Sequence, residues 1–239
     1  MNNFYSYTNN FTDTAVTLSG DEYYHATRSC RVKTGEVIGV TDGCGKRVEA
    51  RIVSIDSSAI TACIEHDVSG IGELGVHITV ALSLIKPSRF ELAVEKCTEL
   101  GARLFVPLYT KRCAHNPKRF NHERIKKIAC EAAKQSGRSW IPEVTEPVSV
   151  VDLFNYSQGT VVIALRSAEK NIKDIKKRIT GSQAVTLIVG PEGDFTDEER
   201  DMILTGGALP VSLGGLTLKS ETAAIAATAL AVCAMEKEC

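Results

Sequence analysis

Val185-Thr186-Leu187-Ile188-Val189 reads as a buried strand, and Gly190-Pro191-Glu192-Gly193 follows it at once. Thr196-Asp197-Glu198-Glu199 comes next, a hydroxyl residue with glutamate three positions on, the pattern of a capping box. The spacing predicts strand, glycine loop and helix N-terminus in succession. Ligands bind at such junctions in open α/β sheets, where backbone N–H groups are free and glycine admits close approach. A second loop, Leu213-Gly214-Gly215-Leu216, leads into Thr217-Leu218-Lys219-Ser220-Glu221-Thr222 and then an apolar helix. Lys219–Thr222 brings together a cation, two hydroxyls and a carboxylate. Two such loops from successive strands are expected to wall one pocket. A plain helix start would equally explain Ser220 as the cap and Glu221 as a first-turn acid.

Other catalytic signatures are missing from the sequence. There is no GxxxxGK[ST] phosphate loop, no GxSxG elbow and no HExxH. Asp42-Gly43-Cys44-Gly45 lies among short β segments with no helix after it, and reads as a hairpin turn. The eight cysteines (30, 44, 63, 97, 113, 130, 233, 239) form no CxxC pair, and the five histidines are scattered. No metal site is expected, and the cysteines read as reduced thiols of a cytoplasmic protein.

Charge is unevenly spread in a chain of net −1. Residues 111–140 hold nine Lys/Arg against two Glu, whereas residues 181–239 hold three basic and nine acidic side chains. A local +7 segment suggests a polyanion site, with a solvated helix face as the bland alternative.

These groups need elements to hold them. The first seventy residues alternate in short β runs (37–41, 47–55, 60–64), interrupted by one helical piece from Asp21 to Arg31. Ser69-Gly70-Ile71-Gly72 reads as a linker, giving domains 1–72 and 73–239. Beyond it, apolar runs at 77–84, 103–108, 160–165, 185–189 and 209–213 alternate with helices, which predicts an α/β domain with a mostly parallel sheet. Ser88-Arg89-Phe90-Glu91 is expected to cap one helix and Asn121 another, the latter with Lys127, Lys134 and Arg138 outward. The segment after Ser220 is apolar all round and is expected to be buried in the core or against a partner. Its run from Ala223 to Met235 is too short to span a bilayer. Residues 1–30 show no basic leader or apolar stretch, so no secretory signal is expected.

The chain resembles the bacterial 16S rRNA uracil-N3 methyltransferase family, a branch of the SPOUT superfamily. The resemblance rests on His25–Arg28 with Arg31–Glu36, on Glu95-Lys96-Cys97-Thr98-Glu99-Leu100-Gly101, and on Glu131–Arg138. It continues in Gly190–Gly193 and in Leu218–Ala223. It implies a SPOUT-type α/β knot, trefoil-knotted with a mostly parallel sheet, and a small N-terminal PUA-like β-barrel domain for RNA. It further implies S-adenosylmethionine as cofactor, a homodimer, and N3 methylation of one uridine in 16S rRNA of the small ribosomal subunit. Cofactor contacts would come from Leu165, Gly190, Pro191, Glu192, Gly193, Leu213, Gly214, Leu218, Ser220 and Thr222.

Uracil N3 must lose a proton before it attacks a sulfonium methyl, and charge then grows on the uracil oxygens. Lys219, Arg138 or Arg112 is the expected oxyanion stabiliser, and Glu221 the expected proton acceptor or sulfonium-side carboxylate. Arg28, Arg31, Lys33, Lys86, Arg112, Lys127, Lys134, Gln135 and Arg138 are the expected RNA contacts. The chain departs from the family pattern at Asp194, where a glycine is usual, and at Lys219, where arginine is usual. Asn2 and Asn3 stand where an arginine is common. Two other readings stay open: methylation of another RNA atom such as a ribose 2′-hydroxyl, and a non-catalytic RNA-binding or ribosome-assembly protein.

Overall fold

The computed structural model describes residues 1–6, 10–113 and 115–235. Seven of the eight cysteines are free thiols, and Cys239 lies outside the described residues. The chain divides into two units: Met1–Glu73 with Cys130–Ile141, and Leu74–Ala129 with Pro142–Cys239.

The first unit is built on five strands: β1 (Asn3–Tyr5), β2 (Ala15–Ser19), β3 (Val37–Thr41), β4 (Arg47–Ile55) and β5 (Ala59–Asp67). They lie in the order β1-β3-β4-β5-β2. β1 pairs with β3 in parallel, and the other neighbours are antiparallel. Alternation along the strands sends Phe4, Val16, Leu18, Ile38, Val40 and Ile52 into one core, as a sheet with one buried face requires. Register shifts at Glu49/Ala50 and Ile52/Ser54 bend β4 against β5 and help the sheet curl. The Asp42 turn joins β3 to β4 as a hairpin, with the Asp42 carboxylate accepting from the N–H of Cys44 at 2.8 Å and of Lys46 at 3.0 Å. The helical piece expected over 21–31 is a short α1 (Gly20–Tyr24) continued by a π-helical turn, His25–Cys30. Arg31, at φ +53°, ends it.

Residues 138–141 join this unit by backbone pairing, which no local sequence pattern announces. Gly45 N–H donates to Ser139 O at 3.0 Å and Ile141 N–H to Gly43 O at 3.0 Å. Cβ atoms at Gly43 and Gly45 would lie 2.7 Å from Ile141 and Trp140 side-chain carbons, so the turn must stay bare for that segment to pack.

The second unit carries a parallel sheet ordered β12-β10-β11-β6-β7-β8. Its strands are β6 (His77–Ser83), β7 (Ala102–Tyr109), β8 (Glu143–Val144), β10 (Thr160–Ala164), β11 (Ala184–Val189) and β12 (Leu209–Val211). The short β9 (Val148–Ser149) also pairs with β7. Both faces are covered, so β6 and β11 are buried nearly throughout. On one face Val80, Leu82 and Leu187 pack with α2 (Pro87–Glu99) and α6 (Ser220–Met235). On the other, Ala81, Val106 and Ile188 pack with Phe195 and with Ile203 of α5 (Asp197–Thr205). α3 (His122–Ser136) begins here, and α4 (Lys176–Thr180) precedes β11.

Two helix starts differ from expectation. The Ser88 capping box does not form: α2 begins at Pro87, whose fixed φ suits a first helical position, and Lys86 caps it without a side-chain bond. Glu91 instead accepts from Arg124, with Nη2 at 2.7 Å from Oε2. Ser220 is the first residue of α6 rather than its cap, and the Lys219 carbonyl accepts from Ala223 N–H at 2.8 Å. Asn121 caps α3 as expected, its Oδ1 accepting from Arg124 N–H at 3.1 Å. Among the described residues no helix is long and apolar enough to cross a membrane.

Candidate functional site

A cavity of about 470 Å³ opens where β10, β11 and β12 end. The two glycine loops both line it, together with the turn that follows β10. Its size is that of a small-molecule site.

The loop after β11 is held from beneath. Thr196 and Glu199 form the reciprocal capping box, Thr196 Oγ1 accepting from Glu199 N–H at 3.2 Å and Glu199 Oε2 from Thr196 N–H at 3.0 Å. The other Glu199 oxygen accepts from Lys111 N–H at 2.7 Å. Arg112 then donates through Nη1 to the carbonyls of Gly193 and Phe195, at 3.1 and 3.2 Å. Phe195 is fully buried, and a Cβ on Gly190 would stand 3.0 Å from its ring. The loop glycine therefore lets the aromatic ring close under the cavity floor. Arg89 ties the two walls together: its guanidinium lies 3.3 Å from Glu192 Oε1 and 3.6 Å from Glu221 Oε1.

Of the residues expected at the cofactor, Leu165, Gly190, Pro191, Glu192, Leu213, Gly214, Leu218 and Ser220 line the cavity. Gly193 and Thr222 do not; Gly193 presents its carbonyl to Arg112 instead. Lys219 lines the cavity and is exposed. Glu221 is buried outside the lining, with Arg89 on one oxygen and, among the described residues, no hydrogen-bond partner on Oε2. Arg166, Leu216 and Thr217 also line it. Arg166 was legible, because it directly follows a predicted strand whose C-terminal end should face a ligand.

The expected RNA contacts fall into two groups. Arg28, Arg31, Lys33 and Gln135 are exposed on the first unit, and Arg28 lies 4.9 Å over the Tyr24 ring. Lys86, Arg112 and Lys127 are exposed on the second. Lys134 and Arg138 are not the outward cations expected of them. Lys134 is 5% exposed, with Nζ 2.6 Å from Glu22 and 2.8 Å from Glu131. Burial pushes its ammonium pKa down, but the bonds and charges of those carboxylates outweigh this and hold it above the ordinary value.

Arg138 is 6% exposed, and its Nη2 donates to Glu73 Oε2 at 2.9 Å while Nε reaches Oε1 at 3.3 Å. Glu73 also accepts from Ser139 N–H at 2.8 Å and Trp140 N–H at 3.2 Å. Burial raises its pKa, yet Arg138 and the two N–H groups carry it below the ordinary range. The reason both cations turn inward is long-range. Their acidic partners Glu22 and Glu73 lie far away in sequence, where a helix-face argument cannot see them.

Two family models match the chain: an RNA methyltransferase domain over residues 72–232 and an RNA methyltransferase PUA domain over residues 18–65. The ribosomal RNA small subunit methyltransferase E of Synechocystis sp. is 33% identical over 221 residues, 91% of this chain and 72% of that protein. Its Mycobacterium bovis namesake is 30% identical, over 90% of this chain and 85% of its own length. Among solved structures, ribosomal RNA small subunit methyltransferase E from Neisseria gonorrhoeae, bound to S-adenosyl methionine, is 28% identical with a TM-score of 0.86. That match covers 96% of this chain and 95% of the other. A putative methyltransferase from Legionella pneumophila in complex with the same cofactor is 27% identical, with a TM-score of 0.83 over 96% of each chain. With its PUA-like sheet and its SPOUT-type α/β unit, the chain belongs to the ribosomal RNA small subunit methyltransferase E family of RNA methyltransferases.

Proposed function

We propose that this protein is a cytoplasmic, S-adenosylmethionine-dependent methyltransferase that modifies N3 of one uridine in 16S rRNA of the small ribosomal subunit. The observation that carries the proposal is the cavity at the strand ends, walled by the Gly190–Asp194 and Leu213–Ser220 loops, in a chain of this family. The lining suits the cofactor. Leu165, Leu213 and Leu218 offer apolar surface to a flat base, the glycine loops bring bare backbone close, and Asp194 supplies a carboxylate for a cationic ligand. When bound, S-adenosylmethionine supplies an electrophilic methyl group on sulfur.

The chain's own part is positioning and charge. Holding both reactants in line removes a large share of the barrier. Lys219, an ammonium on the cavity wall, is placed to offset negative charge on the uracil oxygens as N3 loses its proton. Arg138, bound to Glu73, and Glu221, held by Arg89, act in this reading as structural supports. Arg28, Arg31 and Lys33 supply phosphate contacts from residues 1–72 as the RNA-binding domain, with residues 73–239 as the catalytic one. A base within paired RNA has to swing out to reach the cavity.

The homodimer belongs to the same proposal. α6 buries Ala223, Ala224, Ala227 and Ala231 in its own unit. Ile225, Ala226, Ala229 and Leu230 are only partly covered and form a second apolar stripe for a partner copy. Ala226→Glu should split a dimer that light scattering detects at micromolar concentration, whereas Ala227→Glu should unfold the chain. The decisive experiment is nucleoside analysis of 16S rRNA from a deletion strain. Loss of one N3-methyluridine, restored by the wild-type gene, is expected. Loss of a ribose 2′-O-methyl mark, or of nothing, would refute the assignment.

A further inference from the structure

The cavity holds an unusual residue at a charged position. Asp194 sits at φ +60°, a left-handed conformation that glycine adopts freely and that aspartate and asparagine tolerate better than other side chains. Its N–H donates to Pro191 O at 3.0 Å, closing the turn, and its Oδ1 accepts from Phe195 N–H at 2.8 Å. That second bond fixes the carboxylate. Oδ1 then lies 3.5 Å from where a Cβ on Gly190 would stand. Asp194 lines the cavity and, among the described residues, forms no ion pair. The other acid in the lining, Glu192, is already engaged by Arg89. Two cations, Arg166 and Lys219, share the cavity and likewise form no ion pair among the described residues. The cavity thus offers one unclaimed negative charge, on the β11 loop, and positive charge on the other two loops.

We propose that Asp194 is a specificity-determining residue: its carboxylate is the counter-ion for the cationic methionyl part of S-adenosylmethionine. The inference rests on the cofactor reading given above. A carboxylate already oriented by a backbone N–H meets a cation without first being ordered, and closing a ligand over it raises the effective field. The anionic groups of the cofactor or of RNA fall to Arg166 and Lys219.

Three ligands differing in charge test it by calorimetry. S-adenosylmethionine carries a sulfonium and an ammonium, S-adenosylhomocysteine the ammonium alone, and 5′-methylthioadenosine neither. Asp194→Asn keeps both the left-handed tolerance and an Oδ1 acceptor for Phe195, and removes only the charge. It is expected to weaken S-adenosylmethionine about tenfold, the size of a unit charge at a partly screened site. Methylthioadenosine should hold within about twofold. S-adenosylhomocysteine unchanged assigns the carboxylate to the sulfonium, and equal loss assigns it to the ammonium. Equal weakening of all three ligands, or no weakening of any, overturns the proposal. If Asp194→Asn fails to fold, Asp194→Gly suits the backbone and is read the same way. A wild-type protein that binds none of the three overturns the cofactor reading itself, and this inference with it.

Discussion

Removing the Arg138 guanidinium should damage the fold of the first unit before it damages anything else. Arg138 and Glu73 are each 6% exposed in their side chains, and they meet through two nitrogens and two oxygens. Arg138→Ala leaves a buried carboxylate without its cation, a change that costs about 3–5 kcal/mol in comparable buried pairs. Glu73 keeps the N–H groups of Ser139 and Trp140, which places the cost near the lower end, about 3 kcal/mol. For a chain of this size that lowers the melting temperature by roughly 6–12 °C. Arg138→Lys retains charge but cannot span both oxygens, so about half of the loss is expected to remain. Because the folded-state pKa of Glu73 lies below the ordinary 4.5, its stabilisation is present above that value and disappears as pH falls through the lowered one. The gap between wild type and Arg138→Ala should therefore narrow in acid. Differential scanning fluorimetry from neutral to acid pH reads both effects. An Arg138→Ala protein melting within about 2 °C of wild type at neutral pH would refute the buried-pair account.

Lys134→Ala should destabilise by about 3 kcal/mol, by leaving Glu22 and Glu131 without their shared cation. Since the Lys134 pKa is raised above 10.5, that contribution is intact below 10.5 and is lost as pH climbs through the folded value, which alkaline melting curves would show. Glu199→Ala removes a cap partner and the acceptor for Lys111 N–H together. A loss of about 2–3 kcal/mol is expected in denaturant titration, more than a cap alone gives. Gly190→Val places branched carbon against the Phe195 ring, so S-adenosylmethionine binding measured by calorimetry should fall beyond detection in a protein that still folds.

The sheets were legible because their signal is local. β3 and β4 coincide with their predicted runs, which turn residues bound on either side. β6, β10 and β11 do so to within a residue or two, since strands buried on both faces read as largely apolar runs. β1, β2, β8 and β9 went unseen; three of the four are only two or three residues long and offer too few residues to set a period. The cavity was half legible. Both glycine loops follow from strand and cap patterns, and Asp194 marks itself in the β11 loop as an acid where glycine is usual. Arg166, at the end of a predicted strand, is open to the same argument and joins the cavity because β10 lies beside β11. Charge was the weakest guide. The +7 segment counts Lys134 and Arg138 as free cations, yet carboxylates at positions 22 and 73 neutralise them.

What remains is how a pocket made of loops keeps its shape. The lining glycines contribute little to this, although Leu165, Val189, Leu213 and Leu218 anchor the neighbouring backbone in the cores, so the bare stretches need other supports. The work falls on charged groups one step outside the lining, each holding two pieces of chain at once. Glu199 fixes both the start of α5 and the backbone at Lys111. The next residue, Arg112, grips the Gly193 and Phe195 carbonyls. Arg89 spans Glu192 and Glu221 from the side of α2. The β11 loop is thus restrained at Glu192, Gly193, Phe195 and Thr196 while its cavity face stays bare. A ligand entering such a site need order little of the chain, and less binding free energy is lost to conformational entropy. The same arrangement explains why Arg112 is a poor choice for a phosphate contact despite its exposure. Its Nη1 is already committed to two carbonyls, and a phosphate that drew it away would release the loop that shapes the cavity.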